Sequence, residues 1–176
     1  NIAKSKEIDV KHGDLKEYKG KSKTYDVIIS NDTMYFFKLK NKKEILNEFN
    51  KSLKDGGIVI LNLPSFDLFK GTHDEAVGIQ QRFNKRMVFD MIDKSIYETV
   101  REIYWPFLLS PIIFFIRIFQ RISMDFDKNR EIKSDLNDPI GLVNRVLFKI
   151  VRVENNFFLS KPFGGSLFIV LIKANK

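Results

Sequence analysis

Residues 25–30 read YDVIIS, and this stretch decides the fold class. Its centre is the continuous apolar run Val27-Ile28-Ile29. A strand without polar alternation is buried on both faces, which is typical of a parallel sheet covered by helices. A second strand of the same kind, IVILNL at Ile58–Leu63, follows further along the chain, and Pro64 and Ser65 end it.

A helix is predicted between these two strands. Within Asn41–Leu53 the apolar residues recur at helical spacing. Asn41 suits the N-cap position, and Gly56-Gly57 is a C-terminal stop signal. Strands that alternate with helices predict an α/β sheet with right-handed crossovers.

Elements outside this centre follow from shorter signals. Upstream, Asn1–Lys6 resembles the last turn of a helix, and Ile8–His12 alternates as a short strand before Gly13-Asp14 ends it. Downstream, the pattern predicts a loop with a short helix at Phe66–Arg86, a helix at Arg86–Asp93 and an ambiguous segment at Ser95–Tyr104. Ser110-Pro111 opens a predicted helix at Ser110–Ile122, and a charged loop follows at Ser123–Asp138. Asp138-Pro139 opens a further helix, with Val143, Val146, Leu147, Ile150 and Val151 on one face, and Ser166–Ile172 is a last buried strand.

Composition bounds the chemistry. With 176 residues and 44% hydrophobic content, the chain fits one domain with one core. It has no cysteine, which excludes disulfides and thiolate chemistry, and its two histidines, His12 and His73, make a histidine-rich metal site unexpected. The net charge of +8 favours nucleic acid, anionic lipid or acidic ligands, but the lysines are spread as on a solvated surface. The densest group, Lys38, Lys40, Lys42 and Lys43, lacks interleaved aromatics that would stack on bases. We therefore expect no metal and no nucleic-acid partner.

Four segments, taken in order, resemble the class I S-adenosylmethionine-dependent methyltransferases. YDVIISNDTMYFF resembles their fourth strand and following loop, and KSLKDGGIVILNLPS resembles their helix, GG turn and fifth strand. HDEAVGIQQRF is similar to the HDE-xx-G-xx-RR-[YF] segment of one branch, with Gln81 where arginine is usual. FGGSLFIVLIKANK resembles the last strand, which the family inserts antiparallel. The resemblance covers nearly the whole chain and implies a Rossmann-like α/β fold with S-adenosylmethionine as cofactor.

One departure from the family concerns the cofactor. The family holds S-adenosylmethionine on a GxGxG loop after strand one, whereas this chain has nine glycines and no G-x-G. Ile8–His12 best fits the family's strand three, so the resemblance implies a sheet without strands one and two. The strand at Tyr25–Ser30 would then have an unpaired apolar edge, which favours aggregation. We expect such a chain to fold poorly and to be inactive alone.

The resemblance also implies cofactor-binding positions. Asp14 matches the residue that accepts a hydrogen bond from the adenine amino group, and Leu15 would offer its backbone amide to the ring. Asn31 and Asp32 end the fourth strand, and ligands of open α/β sheets bind outside the carboxyl ends of strands. Both pairs have a plainer interpretation: Gly13-Asp14 as a strand-ending turn, and Asn31-Asp32 as turn or capping residues.

Acceptor-binding positions follow the fifth strand. They are His73, Asp74, Glu75 and Arg82, and His73 is the candidate catalytic residue because imidazole accepts or donates protons near neutral pH. Glu75 and Arg82 would instead form a structural ion pair in the plainer interpretation.

The strongly apolar stretch Trp105–Ile122 has three interpretations. It lines a pocket for the acceptor, it lies on a membrane surface with Arg117 and Arg121 near headgroups, or it packs on the core as a cap helix. It is too short and too interrupted for a convincing transmembrane helix.

The expected layout is one partial domain: a cofactor-side core at 1–65, a loop and helical insertion over the acceptor at 66–158, and a final strand at 159–176. Because the start, NIAKSKEIDV, has no apolar stretch of a signal peptide, we expect a cytoplasmic protein. In the intact protein the expected activity is methyl transfer to a small or lipid-like acceptor. The alternative is a non-catalytic binding module that uses its apolar helices to contact a partner or membrane.

Overall fold

A computed structural model describes residues 11–126 and 141–174. Its sheet has four strands, β1 (Tyr25–Asn31), β2 (Leu53–Pro64), β3 (Tyr97–Trp105) and β4 (Ser166–Lys173), in the order β1-β2-β4-β3. β1 and β2 are parallel, whereas β4 runs antiparallel to both of its neighbours. The expected antiparallel insertion of the last strand is thereby confirmed.

Five helices connect the strands within the described ranges. They are α1 (Leu39–Ser52), α2 (Thr72–Val77), α3 (Lys85–Met91), α4 (Ser110–Phe126) and α5 (Gly141–Phe157). Short 3-10 turns at Met34–Phe36 and Asp67–Phe69 follow β1 and β2. The side chain of Asn84 caps α3, because its Oδ1 accepts a hydrogen bond from the Met87 amide at 3.0 Å.

The core lies on one face of the sheet. Alternate residues of β2 and β4 are fully buried there, and α1 packs against them through Ile45, Leu46 and Phe49. The buried strand residues are Val59, Leu61 and Leu63 of β2, and Leu167, Ile169 and Leu171 of β4. Burying this apolar surface is the main force that holds helix and sheet together.

The other face of β1 is open, which corrects the prediction of a strand buried on both sides. Val27 and Ile29 are 45% and 60% exposed, and in the described residues β1 pairs with β2 alone. The apolar run in the sequence gives the strand correctly, but no element of the described ranges covers that face at β1.

Several predicted boundaries also shift. α1 ends at Ser52, and Gly56-Gly57 lies inside β2 instead of stopping the helix. Gly56 has a φ of 71°, and the pairing with β1 jumps in register at this point, so the glycines form an irregularity in the strand. The ambiguous segment is strand β3, and α4 continues past Ile122 to Phe126.

Predictions for Asn1–Lys6, Ile8–Val10, 127–138 and Asp138-Pro139 lie outside the described residues. The last two residues of the predicted strand Ile8–His12, Lys11 and His12, have no strand structure.

Candidate functional site at the carboxyl ends of the parallel strands

Two polar residues lie side by side where the parallel strands end. Asn31 of β1 is in register with Asn62 of β2, and the next residue, Asp32, donates its amide to the Asn62 carbonyl at 3.0 Å. The Asn62 side-chain amide lies 3.4 Å from Asp32 Oδ2, while its buried Oδ1 has no hydrogen-bond partner in the described residues. Asp32 has a φ of 46°, a conformation that aspartate tolerates better than most residues and that turns the chain away from the sheet.

His73 of α2 belongs to the same cluster. Partial burial raises the pKa of the Asp32 carboxyl, and electrostatic interaction with His73 and Arg82 lowers it. The predicted cofactor-side residue Asp32 and the predicted acceptor-side residue His73 therefore lie within electrostatic reach of each other. This gives an acidic group and an imidazole at the edge of the sheet where α/β proteins bind ligands.

Asp74 and Arg82 form a buried ion pair beside this cluster. Arg82 Nε lies 2.6 Å from Asp74 Oδ1, and Arg82 Nη2 lies 2.9 Å from Oδ2. Asp74 also accepts the Gly71 amide at 3.0 Å, and Arg82 donates to the Ser65 carbonyl at 2.9 Å. Through these hydrogen bonds the pair connects α2 to the residue that follows β2.

The expected ion pair across this loop therefore exists, but its acidic partner is Asp74 and not Glu75. The Asp74 side chain is 2% exposed, whereas Glu75 points to solvent. Because successive side chains of a helix point in different directions, Asp74 faces Arg82 and Glu75 does not.

Tyr35 was not anticipated from the sequence. It lies in the turn after β1 and is almost fully buried. Burial raises the pKa of its hydroxyl, and the charges of Asp32 and Asp74 add to the effect. Its position directly after the strand was the available signal, because loops at carboxyl ends of strands carry functional side chains.

Asp14 and Leu15 lie in a separate turn. Asp14 is exposed, and its carboxylate accepts the Lys16 amide at 2.9 Å, which is the turn-forming role of the plainer interpretation. Leu15 packs against the core and lines a cavity of about 250 Å³ between this turn and α1. In the described residues no hydrogen bond joins this turn to Asn31 or Asp32. One contact reaches from this turn to the segment after β1: Lys16 Nζ lies 5.7 Å from the ring centroid of Phe37.

A second cavity, of about 570 Å³, adjoins the cluster through Tyr35. Its walls come from the segment after β1, the first turn of α1, the segment after α2, and α3. A volume of this size is typical of sites for small organic ligands. Among the described residues, no group of three or more acidic or histidine side chains is arranged to hold a metal ion.

α4 lies beside this region with its apolar side outward. Ile112, Phe115, Ile116 and Phe119 are 48–71% exposed, whereas the arginines lie on the opposite side of the helix. Arg117 packs against Gly71, and Arg121 Nη2 lies 3.5 Å from the Leu68 carbonyl. Both arginines therefore face the loop after β2, and membrane contact through Trp105–Ile122 stays a prediction. In the part of the chain described here, no helix is long and apolar enough to cross a membrane.

Comparisons with known proteins agree with this architecture. A family profile described as "Methyltransferase domain" matches residues 1–61. Among solved structures, a SAM-dependent methyltransferase from Archaeoglobus fulgidus aligns over 96% of this chain and 69% of its own, at 12% identity and a TM-score of 0.54. The [4+2]-cyclase SpnF aligns over 99% of this chain and 61% of its own, at 10% identity and a TM-score of 0.54. Phosphoethanolamine N-methyltransferase 2 from Haemonchus contortus, solved with S-adenosyl-L-methionine, aligns over 92% of this chain and 36% of its own, at 16% identity and a TM-score of 0.47.

No curated protein matches the sequence. The chain spans between 36% and 69% of the length of these three structures. The fold is the Rossmann-like α/β fold of the class I methyltransferases, with the antiparallel last strand that the family resemblance implied. The methyltransferase-domain profile matches residues 1–61, and the fold of nearly the whole chain is similar to that of the Archaeoglobus fulgidus SAM-dependent methyltransferase.

Proposed function

We propose that the intact protein transfers a methyl group from S-adenosylmethionine to a small organic acceptor. The observation that carries the proposal is the cluster of Asp32, Asn62 and His73 at the carboxyl ends of the parallel strands, beside a cavity large enough for an acceptor. S-adenosylmethionine, when bound, supplies a methyl group already activated on a cationic sulfur.

The residues present fit part of that cofactor. The Asp32 carboxylate and the unpartnered Asn62 Oδ1 provide oxygen atoms that suit a cationic group. Asp14 and Leu15 would contact the adenine, and Asn31 and Asp32 the part nearer the sulfur. The sequence has no G-x-G turn to complete the site.

The protein's part in such a reaction is positioning and exclusion of water. His73 would hold the acceptor and take up a proton from it where the acceptor must lose one. The Asp74–Arg82 pair would fix the loop that presents His73 and Glu75 to the acceptor. The placement of these side chains near the edge of the sheet supports each of these roles.

The test is calorimetric titration of S-adenosylmethionine into this chain and into a longer chain that adds the residues encoded upstream. Binding to the longer chain, reduced at least tenfold by Asp32→Asn, supports the proposal. Folded chains that both fail to bind would contradict it. The exposed change Asp67→Asn is the matched control.

A second candidate function is a non-catalytic binding module that docks through its apolar helices. It is favoured by the outward apolar face of α4 and by α5, where Leu142, Val146 and Phe148 are 49–72% exposed. On α5 the exposed Arg145, Lys149 and Arg152 flank that surface, as in helices that lie on anionic membranes. Co-sedimentation with anionic liposomes, lost in Phe115→Ser/Phe119→Ser, together with no cofactor binding, would favour this function over methyl transfer.

A further inference from the structure

Lys42 is a buried lysine in the wall of the larger cavity. It lies on the inward face of α1 with Ile45, Leu46 and Phe49, and only 3% of its surface is exposed. Its Nζ donates a hydrogen bond to Gln81 Oε1 and lies 4.6 Å from the centroid of the Phe83 ring. An ammonium group has three hydrogen-bond donors, so these contacts leave donor capacity on the side of the cavity.

Within the described part of the chain, this buried ammonium has no acidic partner. In the ranges 11–126 and 141–174, Lys42 forms no ion pair; its polar contacts are the amide oxygen of Gln81 and the face of Phe83. Asp90 also lines the cavity but is exposed to solvent. Burying a charge is costly unless an opposite charge compensates it, and burial accordingly lowers the pKa of Lys42. An anion in the cavity would supply the missing compensation.

The beginning of α1 adds positive potential to the same wall. Its N-cap is Lys38, no side chain caps it, and its first turn has no acidic residue. The amides of a first turn lack helical acceptors, and the helix dipole is positive at this end. Lys38 also lines the cavity.

Much of the rest of the wall is apolar or aromatic, and its other polar residues are Gln80, Gln81 and the exposed Asp90. Phe37, Phe83 and Met87 line the cavity, as does Tyr35, which lies within electrostatic reach of Asp32 and Asp74. A ligand of matching shape would carry an anionic group at Lys42 and an apolar body along these side chains, with its other end toward the cluster.

We propose that this cavity binds the methyl acceptor, and that the acceptor is an amphipathic organic anion whose carboxylate or phosphate is held by Lys42. The inference rests on the proposed function and gives it a substrate class. Lys42 is a binding and specificity residue in this assignment, and His73 remains the candidate for the reacting end.

The test uses three probes of similar size without S-adenosylmethionine. Phenyl phosphate and benzoate distinguish the two anionic groups, and benzyl alcohol is the neutral comparator. Affinities are measured by titration calorimetry or ligand-observed NMR for the unchanged chain, for Lys42→Met and for Lys43→Met, where the neighbouring exposed lysine gives the same change in charge.

We expect at least one anionic probe to bind more tightly than benzyl alcohol. Lys42→Met should weaken that binding about 10-fold to 100-fold, the effect of one charge-assisted hydrogen bond, and Lys43→Met less than about 3-fold. Equal losses in both variants would mean nonspecific attraction, and no loss in Lys42→Met, or no anion binding at all, would likewise overturn the inference.

A second measurement needs no variant. The unchanged chain is treated with excess acetic anhydride, and mass spectrometry measures the rate of labelling at the buried Lys42 and at the exposed Lys43. Phenyl phosphate or benzoate should protect Lys42 selectively, and labelling that neither probe alters contradicts the proposal. If the longer chain binds S-adenosylmethionine but shows no Lys42-dependent anion binding, this inference alone is overturned. If the longer chain binds the anions but not S-adenosylmethionine, the proposed function is overturned.

Discussion

Arg82 forms a bidentate ion pair with Asp74, with nitrogen–oxygen distances of 2.6 and 2.9 Å, and both side chains are almost completely buried. Arg82 also donates to the Ser65 carbonyl, so one guanidinium connects α2 to the end of β2. Removing one member of a buried pair leaves the other charge uncompensated. The geometry of the loop that holds His73 therefore depends on this contact.

Asp74→Asn should lower the free energy of unfolding by about 3–5 kcal/mol, because the buried Arg82 charge loses its partner. Urea denaturation followed by circular dichroism measures the change. Glu75→Gln, at the exposed neighbour, should stay within about 0.5 kcal/mol. Equal effects of the two changes would show that the ion pair does not hold the loop.

Gly164→Ala should destabilise the chain by about 1–3 kcal/mol through overpacking. A Cβ at Gly164 would lie 2.5–2.9 Å from three backbone atoms of Trp105, which cannot move aside as a side chain can. At Gly165 a Cβ meets nothing within 4 Å, so Gly165→Ala is the control. A thermal melt in which both variants match the unchanged chain would contradict the close approach.

Glu154 should make stability depend on acid. Burial raises the pKa of this carboxyl, but the Phe107 and Leu108 amides and Lys161, 3.0 Å away, outweigh it, so its pKa lies below 4.5 in the folded chain. A depressed folded pKa gives stability that is present above pH 4.5 and is lost as the pH falls through the folded value. Glu154→Gln should be roughly 1–3 kcal/mol less stable than the unchanged chain at pH 7. Denaturation curves should also show that its free energy of unfolding falls less between pH 7 and pH 3. If the stability of that variant falls with acid as much as that of the unchanged chain, other carboxyls cause the effect. The exposed change Glu98→Gln is the control.

Lys42→Met should stabilise the chain at pH 7 by about 1–3 kcal/mol, because a buried charge without an acidic partner is removed. The folded pKa of Lys42 is lowered by burial from 10.5, so in the unchanged chain stability rises with pH between the folded value and 10.5, where the unfolded chain binds more protons. The variant should lack this rise. Denaturation series at pH 7 and at pH 10 distinguish the two profiles, and Lys43→Met should behave as the unchanged chain does.

Ile29→Lys should reduce self-association. Ile29 is 60% exposed on β1, which in the described residues is an edge strand. A lysine on an edge strand discourages pairing between molecules. Sedimentation velocity should show less oligomer than in the unchanged chain, whereas Val77→Lys, outside the sheet, should leave the distribution unaltered.

The sequence indicated the backbone architecture better than the contacts of single side chains. Apolar runs predicted β2 and β4, and the family resemblance predicted that β4 would be antiparallel, because both signals depend on many residues at once. The open face at Val27 and Ile29 was not predictable, since burial depends on which elements cover a strand as well as on its own residues.

Lys42 and Asp74 show the same limit at the site. Lys42 sits in a lysine-rich stretch that suggests a solvated surface, yet it lies three, four and seven residues before Ile45, Leu46 and Phe49, which is the spacing of one helix face. That spacing was a usable signal. The choice of Asp74 over Glu75 as partner of Arg82 was not, because it depends on the rotation of a short helix relative to β2.

The last strand in the chain occupies an interior place in the sheet. β4 separates β2 from β3, so neither can complete its pairing on that side until Ser166–Lys173 is available. During translation β2 and β3 therefore leave the ribosome without this partner, and the sheet closes only after Ser166–Lys173 has emerged. A premature stop before Ser166 would leave β3 unattached to the β1–β2 pair, so nascent chains should depend on chaperones until Ser166–Lys173 emerges.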